Sequence, residues 1–123
     1  MNKIGIHYGK WLSSYQWTYI ATIRRHFPLT EFNIGSMMTR LFSCGRIKKL
    51  FYAIEPDRDD KMTHAHLLIE TNATYNNNTI AKELGINPKS IRKFDEVKDA
   101  EAVSFYCTKN IKKDFCHYDF MNV

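Results

Sequence analysis

The sequence predicts an α+β fold. A central antiparallel β-sheet of about five strands is expected, with helices packed mainly on one face, on the ferredoxin-like, split βαβ plan. Three observations lead there. Segments rich in β-branched and aromatic residues alternate with segments of helical period, in the order β-α-β-β-α-β-α-(β). Two of the strands are parted only by the polar run PDRDDKMT (56–63), which marks an antiparallel hairpin. Two of the helical segments run into a glycine, Gly45 and Gly85, that can end them.

Residues 1–14 have no clear period and read as an N-terminal arm or a short edge element. YQWTYIATIRR (15–25) reads as a strand, and Pro28 stops it. TEFNIGSMMTRLFSCG begins at Thr30, a good N-cap, and Phe32, Met37, Met38, Leu41 and Phe42 fit one helical face. The Met37–Met38 pair suits core filling. IKKLFYAIE (47–55) and HAHLLIE (64–70) are the hairpin strands. NNNTIAKELG (76–85) is a short helix and KSIRKFDEV (89–97) a fourth strand. KDAEAVSFYCTKNIKK (98–113) places acids early and lysines late, as a helix dipole prefers, and DFCHYDF (114–120) can add a last strand.

With 123 residues, 44% of them hydrophobic and 25% charged, the chain suits one domain, 1–123, with one core. The start, MNKIGIHYGKW, lacks the apolar stretch and cleavage site of a secretory leader, and no apolar run is long enough for a membrane span. A cytoplasmic setting is expected. The three cysteines, Cys44, Cys107 and Cys116, have no CxxC spacing and read as reduced thiols. Eighteen Lys+Arg against 13 Asp+Glu give a net charge of +5, which favours a polyanionic partner.

Strand alternation points His64 and His66 the same way, while Ala65, Leu67 and Ile69 point to the other face. Two imidazoles so placed can chelate one divalent ion, or can be ordinary surface histidines. Glu55 ends the preceding strand and is the natural third ligand, provided that the hairpin register brings it to their face. Asp57, Asp59 and Asp60 are competing ligands that also suit a solvated loop. On the 98–113 helix, Tyr106 and Lys109 share a face. A phenol can attack a phosphate that a metal polarises, and an ammonium beside it can stabilise the charge that develops.

In this order the segments resemble the HUH endonuclease superfamily, most closely the rolling-circle replication initiators (Rep proteins) of viruses and plasmids. His64-Ala65-His66 matches the family's His-hydrophobe-His, with alanine a small choice at its centre. Tyr106-Cys107-Thr108-Lys109 matches its YxxK, and YAIEPDRDDKMTHAHLLIE (52–70) is similar to its EP…HxHLL stretch. WTYIATIRR (17–25) loosely fits its first motif. The resemblance implies the HUH version of the predicted fold. It implies Mn or Mg held by Glu55, His64 and His66, with Tyr106 as nucleophile and Lys109 assisting charge and positioning. Nicking of single-stranded origin DNA would then pass through a 5′-phosphotyrosine intermediate and leave a 3′-hydroxyl to prime rolling-circle replication. The sequence contains no GxxxxGK[ST], so a separate helicase is expected, and a single tyrosine makes a homodimer one route to termination.

Trp17, Tyr19, Arg24, Arg25, Lys48 and Lys49 are the candidate DNA contacts. In a non-catalytic alternative these, with Tyr52, would form a single-stranded nucleic-acid-binding module. Within the enzyme class, a relaxase would use Tyr8 or Tyr15 with a third histidine from His7 or His26, and a single-tyrosine transposase is the other choice. A structural zinc site of Cys107, Cys116 and His117 is short of a tetrahedral four.

Overall fold

Strand β3 (Thr63–Thr71) is the middle of a five-stranded sheet, flanked by β1 (Tyr19–Ile23) and β2 (Ile47–Pro56). The edges are β4 (Ile91–Glu96) beside β1 and β5 (His117–Asn122) beside β2, giving the order β4-β1-β3-β2-β5 with every pair antiparallel. The first four strands in that order are the split βαβ arrangement expected from the sequence. The computed structural model describes residues 3–57, 62–108 and 117–122. The end of the 98–113 helical segment and the start of the last strand segment, as read from sequence, lie outside them.

The helices are α1 (Lys3–Leu12), α2 (Glu31–Ser43), α3 (Asn77–Leu84) and α4 (Ala100–Thr108). Thr30 caps α2 as expected: its hydroxyl accepts from the Asn33 amide, and the Asn33 side chain accepts from the Thr30 amide. Such a box is worth about 1 kcal/mol. Asn76 and Thr79 repeat the device on α3, which ends at Gly85 with φ +74°, a left-handed turn that glycine adopts without steric cost.

Two cores sandwich the sheet. Helices α2 and α3 pack Ile34, Met38, Leu41, Ile80 and Leu84 against Ala21, Leu50, Tyr52, Leu67 and Ile69. The opposite face is covered as well. There Leu12 and Cys107, from α1 and α4, meet Trp17, Ile20, Phe51 and Leu68. The helices therefore lie around the sheet, α2 and α3 on one face and α1 and α4 on the other. Residues 3–12, read from sequence as an arm or edge element, are the reason: they form a helix that packs on α4. The two helices approach so closely that a Cβ on Gly9 would collide with the Phe105 ring. Among the described residues no helix is long and apolar enough to cross a membrane.

Candidate metal centre

The β2–β3 register answers the question the hairpin raised. Glu55 stands directly opposite His64, and Ala53 opposite His66. Since alternate residues share a face, Glu55 and both imidazoles fall on the side of the sheet covered by α1 and α4. The three side chains converge there. Glu55 Oε1 lies 3.0 Å from His64 Nε2 and 2.7 Å from His66 Nε2. Glu55 and His66 are buried, 2% and 1% exposed, and His64 is partly so.

The outer ring nitrogens have partners of their own. His64 Nδ1 is 2.8 Å from Asp57 Oδ1, and His66 Nδ1 is 3.1 Å from the Thr22 hydroxyl. Asp57 is in turn gripped by Arg24, whose Nη1 donates to both carboxylate oxygens at 2.8 and 2.7 Å. Arg24 Nη2 also approaches His64 Nδ1, at 3.4 Å. The shorter carboxylate contact is the one that fixes the ring, with Nδ1–H donating to Asp57. The Thr22 hydroxyl both donates and accepts, so it serves either tautomer of His66.

The electrostatics follow. Glu55 and then Asp57 raise the pKa of His64 above its ordinary value, against the opposing effect of burial. Arg24 leads in lowering the pKa of Asp57, with His64 adding to it.

One ring nitrogen from each histidine and a carboxylate oxygen, all within 4.8 Å of one another, form a group that could hold a metal ion. The donor set suits a first-row divalent metal. The second layer suits one too, because Asp57 and Thr22 hold the remote nitrogens and leave both Nε2 atoms facing inward.

Tyr106, on α4, brings its ring edge-on to His66, with centroids 4.8 Å apart, and remains 43% exposed. Lys109 lies outside the described residues, as do Asp59, Asp60 and Cys116. The other tyrosines considered for a relaxase are engaged elsewhere. The Tyr8 hydroxyl bonds that of Tyr118 at 2.6 Å, and Tyr15 accepts from the Trp11 indole at 3.1 Å. His7 and His26 are exposed and outside the group.

The expected DNA contacts need correction. Trp17 and Tyr19 are each 5% exposed. The Trp17 indole donates to the Leu12 carbonyl, and Tyr19 stacks on Phe94 while its hydroxyl accepts from the Tyr75 amide. Tyr52 is buried as well. Both faces of the sheet are covered, so these aromatics belong to cores and not to a stacking platform. Arg24 is committed to Asp57, and Lys49 pairs with Glu70 at 3.2 Å and lies over the Tyr15 ring. Arg25 rests over Phe27, and Lys48 is exposed. Cys107 is buried in the second core.

Two site residues were not singled out for these roles from sequence. Asp57 has the look of a loop charge, yet it orients His64. Thr22 was available in principle, since it is one of the outward positions of the first strand.

Comparison of the chain with protein-family models, with curated proteins and with solved structures found no match.

Proposed function

We propose that this protein is a metal-dependent enzyme that nicks and rejoins single-stranded DNA through a covalent phosphotyrosine, in the manner of a rolling-circle replication initiator. One observation carries the reading: a half-exposed phenol, Tyr106, packs against one of two histidines that share a buried carboxylate. Glu55, His64 and His66 would hold a divalent ion. Two imidazoles favour Mn²⁺ over Mg²⁺. Bound there, the ion would supply Lewis-acid polarisation of a phosphate oxygen.

The chain's own groups account for the rest. Tyr106 Oη gives up its proton and attacks the phosphorus, the P–O bond to the upstream sugar breaks, and the departing oxygen takes up a proton to become a 3′-hydroxyl, so no proton is gained or lost overall. The 5′-phosphate stays on Tyr106 until a 3′-hydroxyl attacks it and restores the strand. The Arg24–Asp57–His64 chain and the Thr22–His66 bond keep the imidazoles in place throughout. The same reading has a separate helicase opening duplex in the host cytoplasm, and a second protomer supplying the second tyrosine for termination.

The test uses labelled single-stranded oligonucleotides, Mn²⁺ and a denaturing gel. A metal-dependent protein–DNA adduct is expected, and Tyr106→Phe should abolish it. An adduct that persists in Tyr106→Phe would remove the assigned nucleophile. Binding of a broad oligonucleotide pool with no cleavage would favour the non-catalytic alternative.

A further inference from the structure

The sheet face that carries His66 continues through Thr22 to the edge strand. Thr22 pairs with Lys93 and Ile20 with Asp95, so both β4 side chains lie on the metal side. There the sheet and α4 part to leave a cleft of about 710 Å³. Ile20 and Val103 are among its apolar lining, and Tyr106 borders it as well. The same tyrosine thus lines the cleft and touches His66. The volume falls within the roughly 300–1,000 Å³ of small-ligand sites.

The charges say what suits it. Lys93 and Asp95 stand on the cleft side of β4, Glu96 turns to the other face with Tyr19, and Lys98 and Asp99 border the opening, so acids and bases balance. With its charges balanced, the cleft offers a phosphate no net attraction. A flat, neutral group with N–H donors on its edge would be matched by apolar walls, an aromatic ring and acceptor oxygens.

We propose that this cleft seats one nucleobase of the single strand, from a nucleotide bordering the cleaved phosphate. Asp95 would select bases that carry an amino group. The inference rests on the nicking reading above and adds a specificity site to it. The sugar–phosphate chain stays outside, at Tyr106 and the Glu55–His64–His66 group, while the base turns into the cleft and stacks on Tyr106. A carboxylate only accepts hydrogen bonds. It pairs with the amino groups of guanine, cytosine and adenine, whereas thymine turns two carbonyl oxygens toward it and keeps a single N–H. Lys93 lies 4.0 Å from Asp95 at the cleft edge, where both side chains are more than half exposed.

The experiment uses single-stranded oligonucleotides with a randomised centre and fixed ends, incubated with the full chain and Mn²⁺. Adducts are captured under denaturing conditions, and the linked and released segments are both sequenced. Thymine should be depleted about tenfold at one of the two positions bordering the break. Asp95→Asn, whose amide both donates and accepts, should restore it. Val103→Trp should fill the cleft and cut adduct yield about tenfold, with Mn²⁺ affinity by calorimetry unchanged. Absence of base preference at both positions would overturn the cleft assignment and leave the nicking reading standing. So would a preference that Asp95→Asn does not alter. Failure of the wild-type protein to form any adduct, with Mn²⁺ bound, would overturn the nicking reading and the base site with it.

Discussion

Asp57 and Thr22 separate a pair of histidines from a working ligand set. An imidazole with a free outer nitrogen can rotate or change tautomer, and either movement turns Nε2 away from Glu55. Asp57→Asn keeps the shape but removes the charge that favours Nδ1–H, and it also releases Arg24. Mn²⁺ affinity should fall about 10- to 100-fold in this variant, as it does when outer partners of metal-bound histidines are removed. Titration calorimetry measures it, and unchanged affinity would reduce the Arg24–Asp57–His64 chain to a surface ion pair. At the ligands themselves, His64→Ala should abolish cleavage while retaining much of the DNA affinity, because basic residues supply most of the binding. Gel and anisotropy assays read the two separately. The Glu55–His64–His66 group was legible in the sequence because strand alternation is strict: it put His64 and His66 on one face and left only the register of Glu55 open. Asp57 was not legible in its role, since nothing in PDRDD says which acid turns back toward the strand.

Among the elements, α1 and α4 hold the most consequence for the site. Helix α4 carries Tyr106, and α1 is its main helical neighbour. Gly9→Ala would drive a methyl into the Phe105 ring, and overpacking of this kind costs about 1–3 kcal/mol. Denaturant unfolding should record that loss, and a further Phe105→Leu change should recover part of it. Additive penalties from the two changes would deny the contact. The helix was hidden in the sequence for a physical reason. Gly5 and Gly9 lower its intrinsic propensity, and Leu12 packs against a partner nearly a hundred residues away. The hairpin and the two capped helices were readable because their signals are local: a polar loop, Thr30, Asn76, Gly45 and Gly85. The fate of Trp17 and Tyr19 was not, because composition marks a residue as aromatic without saying how many faces of its sheet are covered.

The whole molecule responds to alkali through phenols remote from the metal group. Burial pushes Tyr52 up to about 12, with Asp119 adding to the effect, and burial does the same for Tyr75, with Cys44 next in importance. An unfolded tyrosine ionises near 10. Between pH 10 and 12 the folded chain therefore keeps protons that the unfolded chain has lost, so stability is full below that window and drains away as the pH climbs through it. Phenolate absorbance should go on rising toward pH 12 as Tyr52 and Tyr75 ionise, and the midpoint of urea unfolding should drop across the same range. A single transition near pH 10 in the folded protein would contradict the burial of these rings.

The Glu55–His64–His66 group sits on β2 and β3, the inner strands of the ladder, and not on a flap or terminus. Inner strands separate only when the sheet does, so the group is dispersed only on unfolding, and an ion that binds it would favour the folded chain. Its affinity is then added to the cohesion of the molecule, about 2.7 kcal/mol at a hundred times Kd. Melting temperature becomes a ruler for the cation: Mn²⁺ should raise Tm more than Mg²⁺ at equal concentration, and His66→Ala should erase the difference.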